Sequence, residues 1–302
     1  MIIIHIKAMS RYEQFPIHLV SVVRNEEQYL PGLVDSILSQ EERPYKWTIV
    51  DDGSTDDTPS IIDALERDYD WVRRVRAPDR GYNDRGHANS TALRSGFETA
   101  LQNSQVEAIG VLDADITFNE LTMSQIYDAF LNNDNLGIYG GEIVELRGDQ
   151  WVPPVTLPED FVRGACKLYR RKCYDDIGGI LTRRGWDSID NLKAAMHGWD
   201  VKRDAALLIR HHRPVGTTDG FVKDQWKVGR DAHYIGSDPL LVLARGMRKM
   251  VKTKPYFLGG MIFLSAYFKN RFFSTEQYPD PQLLQFVQKR HREILLQGFY
   301  KW

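Results

Sequence analysis

Along the first 120 residues, short apolar runs alternate with stretches whose apolar positions recur every three or four residues. Residues 16–23 (PIHLVSVV) read as a strand, and 28–39 (QYLPGLVDSILS) as a helix with Leu30, Leu33, Val34, Ile37 and Leu38 on one face. A strand over 47–50 runs into Asp51-Asp52-Gly53-Ser54, and a helix over 59–68 follows with Ile61, Ile62 and Leu65 at core spacing. Residues 72–76 and 88–101 repeat the strand–helix pair, and the apolar strand 108–112 ends at Asp113-Ala114-Asp115. The alternation predicts an α/β fold with a doubly wound, mostly parallel sheet flanked by helices. Ligands bind such sheets beyond the carboxyl ends of the strands, where both acidic clusters fall.

Beyond residue 160 the pattern loosens. A basic stretch covers 161–174, a helix is expected over 187–197, and a strand over 205–210 (AALLIR) feeds His211-His212-Arg213. From Leu240 the chain is basic and amphipathic, then apolar, and it finishes on a polar helix near 281–296. No Gly/Ser-rich linker and no internal repeat interrupts it, so a catalytic domain with a helical C-terminal extension is expected.

Composition changes this picture in one respect. With 42% hydrophobic and 26% charged residues, the 302-residue chain is of ordinary globular make-up, which excludes disorder and fibres. The formal net charge of −2 hides a split: residues 1–160 hold 13 Lys/Arg against 28 Asp/Glu, and residues 161–302 hold 26 against 13. Acids that hold a cation and bases that meet phosphate or an anionic surface are natural sources of such opposition. The two cysteines, Cys166 and Cys173, lack CxxC spacing, so a reducing, cytoplasmic setting is expected. The MIIIHI start is too short for a signal-peptide core. The apolar stretch 255–268 spans 14 residues, and as a helix it reaches about 21 Å, long enough to lie on a bilayer but not to cross its roughly 30 Å core.

Candidate chemistry starts with Asp113 and Asp115. Two carboxylates about 4 Å apart repel by about 4 kcal/mol at an effective dielectric near 20, and a divalent cation removes that cost. Their hard oxygens suit Mn²⁺ or Mg²⁺, ions that also take substrate phosphates; the plain alternative is a solvated turn. Asp51-Asp52-Gly53-Ser54 makes a strand–turn–helix joint, yet two consecutive acids at the strand end exceed what a turn needs. Asn25-Glu26-Glu27 opens the first helix in the same way, where capping is the simple reading.

Three acidic strand-end motifs in this order, VSVVRNEEQYLPGLVDSILSQ, TIVDDGSTDDT and GVLDADI, closely resemble glycosyltransferase family 2, nucleotide-sugar enzymes of the GT-A fold. RRKCYDDIGGI and GWDSIDNLKAAMHGW resemble the family's second half, so the likeness covers roughly residues 17–213. It implies an N-terminal extension (1–15), a catalytic domain (16–235, with a nucleotide-binding half 16–118 and an acceptor half 119–235) and a basic amphipathic helical extension (236–302). It also implies that Glu26 and the Val22–Val23 backbone line the nucleoside, that Asp52 binds a uracil-type base, and that Asp113 and Asp115 take the ribose and the metal-bridged diphosphate. Arg85 falls in a segment that closes over the nucleotide. The base that deprotonates the acceptor corresponds to Asp187, with Asp190 one turn on as the alternative; Trp186 stands where the family carries Glu.

HHRPVGTT resembles the Arg-x-x-Gly-x-Ser segment of polyprenyl-phosphate sugar synthases, which implies His212 as a further metal or diphosphate ligand and Arg213 and Thr218 as diphosphate contacts. Arg163 is expected to face the acceptor, and Trp186 to stack on sugar. The whole implies inverting, metal-dependent transfer from a UDP-sugar, with a GDP-sugar as the alternative, to a hydroxyl of a saccharide or lipid-linked acceptor. Residues 240–273 carry seven Lys/Arg and no acid, the pattern of an interfacial helix at the cytoplasmic face of a membrane; packing on the catalytic domain or on a second subunit, as in a homodimer, is the alternative. A degenerate transferase acting as an assembly partner is a second reading, because Trp186 replaces Glu. A sugar nucleotidyltransferase would want a Gly-rich basic loop near the start, and a NAD dehydrogenase a GxGxxG; neither is present. No nucleic-acid-binding module is recognised.

Overall fold

The computed structural model describes residues 10–77, 87–147, 149–153, 157–183, 185–213, 220–252, 255–273 and 276–296. The expected strand–helix alternation is there: α1 (Arg11–Gln14), β1 (Ile17–Val23), α2 (Leu30–Leu38), β2 (Lys46–Asp51), α3 (Thr58–Asp68), β3 (Val72–Arg76), α4 (His87–Leu101) and β4 (Ala108–Leu112) follow one another. Then come β5 (Ile116–Thr117), α5 (Thr122–Leu131), β6 (Leu136–Arg147), β7 (Gln150–Val152), β8 (Cys166–Arg170), α6 (Arg171–Asp176), α7 (Trp186–Met196) and β9 (Asp200–His211). All nine strands form one sheet in the order β3-β2-β1-β4-β8-β6-β9-β5, with β7 on β6. The half built from β3, β2, β1 and β4 is parallel as expected. The other half is mixed, since β8 runs antiparallel to both β4 and β6 while β9 runs parallel to β6.

Each face of the sheet buries its own core. Leu30, Leu33 and Ile37 of α2, Ile62 and Leu65 of α3, and Ile126 and Phe130 of α5 pack with Ile17, Leu19 and Ile49. On the opposite face Phe97 of α4, Tyr174 of α6 and Ala194 of α7 pack with Val20, Val50 and Ile109. A Cβ at Gly96 would lie 2.6 Å from Val20 Cγ1, so the bare backbone lets α4 settle onto the strands. This three-layer arrangement is what a strand with one apolar set per face dictates.

A second compact unit comprises Pro214–Trp302. Its helices are α8 (Phe221–Tyr234), α9 (Pro239–Lys252), α10 (Leu258–Phe272) and α11 (Pro281–Leu296). Val242, Phe263 and Tyr267 form its core, against Val228 and Ala232 of α8. Helix α8 packs on α10 within this unit. No helix among the described residues is long and apolar enough to cross a membrane.

Candidate active site

β1, β2 and β4 are parallel neighbours, so their carboxyl ends open on one edge of the sheet. The β1–β4 ladder runs to Val20–Val111, which leaves Val22 and Val23 at the rim, where the Asp52 N–H donates to the Val23 carbonyl at 2.9 Å. The loop after β1 is laced to the loop after β2. Asn25, at φ +54°, accepts the Thr55 N–H at 2.8 Å, and the Glu26 N–H donates to Thr58 Oγ1 at 2.8 Å. Gly53 turns the second loop at φ +78°, a conformation open to glycine without strain. The two consecutive acids divide their work. Asp51 is buried against Arg74 of β3 at 2.5 Å and accepts the Ser54 N–H, so it holds the fold. Asp52, only 5% exposed, sits at the rim itself, its carbonyl accepting from Arg24 at 2.7 Å.

Donor atoms of Asp113, Asp115 and His211 all lie within 4.8 Å of one another. Asp113 and Asp115 follow β4, and β5, which pairs Ile116 with His211, brings the end of β9 alongside. Burial, joined by the charge of Asp115, pushes the Asp113 carboxyl up to about 7. Burial alone would raise Asp115 too, but the His211 imidazole at 3.3 Å and Arg213 hold it below the usual carboxylate range. Two carboxylates and an imidazole this close, one acid already driven toward its neutral form by burial and by its neighbour, fit a divalent cation. The histidine in this set is His211; His212, the one expected as a further ligand, lies outside it. Successive side chains of a strand alternate in direction, and the His212 ring instead bonds Thr117 Oγ1 at 2.8 Å and meets the Trp151 ring edge-on.

Arg213 spans the strand ends. Its guanidinium forks onto both Glu26 oxygens, at 3.2 and 2.5 Å, and its Nε lies 3.5 Å from Asp115. Its ring partner is Tyr29, at 4.8 Å. Arg163 adds a second positive charge felt by both Asp113 and His211, and its buried Nη1 has no hydrogen-bond partner among the described residues. The site therefore carries both cation-binding and anion-binding groups.

The first turn of α7 closes the set. Gly185, left-handed at φ +79°, starts the helix, and Asp187 follows in its first turn, accepting the Gly164 N–H at 3.3 Å. A Cβ at Gly164 would lie 3.0 Å from the Trp186 ring, so that glycine lets the 162–164 segment close on the helix start. Asp190 is a different kind of group. It is fully buried, accepts the Tyr169 hydroxyl at 2.7 Å, and burial, against the pull of Lys167, pushes it up to about 6. Enclosed in this way, the Asp190 carboxyl is held inside the fold, in contrast to Asp187 in the first turn of the helix. Arg85 and Thr218 lie outside the described residues.

A family model described as glycosyl transferase family 2 matches residues 19–179, more than half of the chain. The chain belongs to glycosyl transferase family 2. Among curated relatives, a beta-monoglucosyldiacylglycerol synthase of Synechocystis sp. is 25% identical over 204 residues, 61% of this chain and 41% of its own length. A teichoic acid poly(glycerol phosphate) polymerase of Staphylococcus epidermidis is 30% identical over 112 residues, 37% of this chain and 14% of its own. The family 2 chain thus spans less than half the length of either. Among solved structures, S. aureus TarS 1–349 in complex with UDP-GlcNAc superposes with a TM-score of 0.55 at 15% identity, over 93% of this chain and 84% of that one. The mannosyltransferase PcManGT from Pyrobaculum calidifontis, in complex with GDP-Man and Mn²⁺, gives 0.53 at 16% identity, over 96% and 78%. At such identities the likeness is one of fold, and the fold is GT-A.

Three site features of this family 2 chain were not legible beforehand. His211 is indistinguishable from His212 in sequence until the phase of β9 is known. The Glu26–Arg213 fork joins residues 187 apart. Lys167, fully buried, donates to the Asp187 carbonyl at 2.6 Å, and only its place in a strand that reads KLYR hinted at burial.

Proposed function

We propose that this chain is an inverting, metal-dependent glycosyltransferase that moves a sugar from a nucleotide diphosphate donor to a hydroxyl of a saccharide or lipid-linked acceptor. The observation that carries the reading is the convergence of Asp113, Asp115 and His211 with Arg163 at one strand edge, a set suited to a metal-bridged diphosphate. Glu26, Asp52 and the Val22–Val23 rim serve the nucleoside; a UDP-sugar is favoured by the family resemblance at Asp52, with a GDP-sugar as the alternative.

In this scheme the Asp187 carboxylate takes the proton of the acceptor hydroxyl as its oxygen attacks C1 of the donor sugar. The C1–O bond to the diphosphate breaks on the opposite face, through an oxocarbenium-like state, and the departing electron pair stays on the diphosphate. Arg163 and Arg213 meet that negative charge, and Trp186 offers its face to the sugar. Bound at the Asp113–Asp115–His211 set, Mn²⁺ or Mg²⁺ would supply Lewis-acid neutralisation of the same oxygens. Arg213 must loosen its fork on Glu26 to do this, so donor binding and arginine release are one event. The same reading places the enzyme at the cytoplasmic face of a membrane, where lipid-linked acceptors are presented.

The test is a thermal-shift panel of UDP- and GDP-sugars with and without Mn²⁺, followed by donor-hydrolysis and transfer assays. A selective rise in Tm that requires the cation, and transfer that chelation abolishes and Mn²⁺ or Mg²⁺ restores, are the expected results. Selective binding with no turnover under any condition would instead favour the degenerate, assembly-partner reading that Trp186 suggests.

A further inference from the structure

The C-terminal unit buries Val242, Phe263 and Tyr267, yet it leaves a second apolar set outside. On α9, Leu240, Leu243, Met247 and Val251 recur at helical spacing along one face, and all are exposed, Val251 by 68%. The stripe continues into Phe257, 65% exposed, and into Leu258 and Met261 at the start of α10. Phe257 holds φ +64° and donates its N–H to the Met250 carbonyl at 2.9 Å, so the chain keeps an aromatic outside at a backbone angle that disfavours it. Arg248 and Lys252 stand one step around α9 from Met247 and Val251, and both are exposed, as are Lys269 and Arg271 on α10. Residues 239–273 contain no acid at all.

We infer that the α9–α10 hairpin is an in-plane membrane foot that lays the Leu240–Val251 stripe and the Phe257–Met261 tip into the interface of an anionic bilayer. Charge decides between the occupants. A second copy of this chain, meeting the patch by two-fold symmetry, would bring the cations of residues 239–273, a segment without acids, against the same cations. Anionic headgroups answer them directly, and the apolar stripe then takes the depth of the acyl boundary. At 14 and 15 residues, α9 and α10 have a length compatible with an in-plane position. The inference deepens the proposed membrane setting and is independent of sugar transfer, since vesicle binding is read without donor or acceptor.

The experiment is co-sedimentation of the full chain with vesicles of phosphatidylglycerol and phosphatidylcholine, beside vesicles of phosphatidylcholine alone. Binding to the anionic vesicles, weakened by salt, is expected, with a loss of roughly tenfold or more in the exposed-site variant M247D/V251D and a weaker salt dependence in R248Q/K252Q. A circular dichroism melt identical to wild type shows that the variants fold. As a gain-of-signal control, Trp fluorescence of F257W should be quenched by brominated lipid. Failure of the wild type to bind anionic vesicles, equal binding by M247D/V251D, or a dimer in solution that M247D/V251D dissolves would overturn the inference.

Discussion

His211 and His212 share a backbone and little else. The first faces Asp113 and Asp115; the second is bonded to Thr117 and packed on Trp151. Replacement of His211 by Ala should therefore weaken the Mn²⁺-induced rise in Tm by roughly tenfold or more in apparent cation affinity, whereas His212→Ala should leave it nearly unchanged. Isothermal titration with Mn²⁺ distinguishes the two variants directly. The sequence made both acids of the DxD triplet legible, because an apolar strand ends immediately before them. It pointed to His212, whereas His211 is the one beside the two acids, for a physical reason: a strand's facing reverses with every residue, and the β6–β9 register slips between Gly141 and Glu142. Periodicity over 205–210 carries no record of such irregularities.

At the scale of elements, α7 holds two aspartates one turn apart in opposite environments. Asp187 sits in the first turn against the Gly164 N–H, while Asp190 is sealed beneath Tyr169 beside Lys167. Asp187→Asn should cut kcat by roughly 10²–10⁴-fold with little change in Tm, the signature of a lost proton acceptor. Asp190→Asn should do the reverse, keeping kcat within a few fold while the melting temperature moves, because the amide replaces a buried carboxyl that bonds Tyr169. Steady-state rates and thermal melts on both variants separate the roles. Helix α7 was readable within one residue at each end from its apolar spacing and Asp/Gly boundaries. Strands β6 and β8 were not: IYGGEIVEL and CKLYRR mix glycine and charge into apolar runs, and their burial comes from tertiary neighbours that no local pattern announces.

For the molecule as a whole, acid is the informative perturbation. Burial, with Lys46 adding to it, lowers His18 on β1 to about 4, and burial with Arg245 lowers His291 on α11 to about 3, so each unit contains a histidine held neutral. An ordinary imidazole titrates near 6.5, and between that value and the folded-state value only the unfolded chain takes the proton. The stability due to neutral His18 is thus complete above pH 6.5 and lost as pH falls toward 4, a change of about 3 kcal/mol for the whole window. Asp113 and Asp190 work in the opposite sense, since their raised values favour the folded state as pH falls. The wild-type curve mixes both signs, and the difference between variants does not. His18→Asn should gain roughly 2–3 kcal/mol relative to wild type between pH 7 and pH 4.5, measured by denaturant titration at each pH.

The β5–β9 ladder is two residue pairs long, Ile116–His211 and Thr117–Arg210, and it ties together segments almost a hundred positions apart. Long-range closures of this kind come late when a chain folds, because the loop must be ordered before the contact repays it. The rim proposed for the nucleoside, by contrast, is assembled from β1, β2 and their loops, all within the first 60 residues. A nascent chain released as far as residue 179 holds that rim but neither Asp187 nor His211. On the proposed metal reading, competence to grip a cation is a checkpoint on completion of the sheet, and a Mn²⁺-dependent signal followed during refolding should mark the docking of β9 on β5.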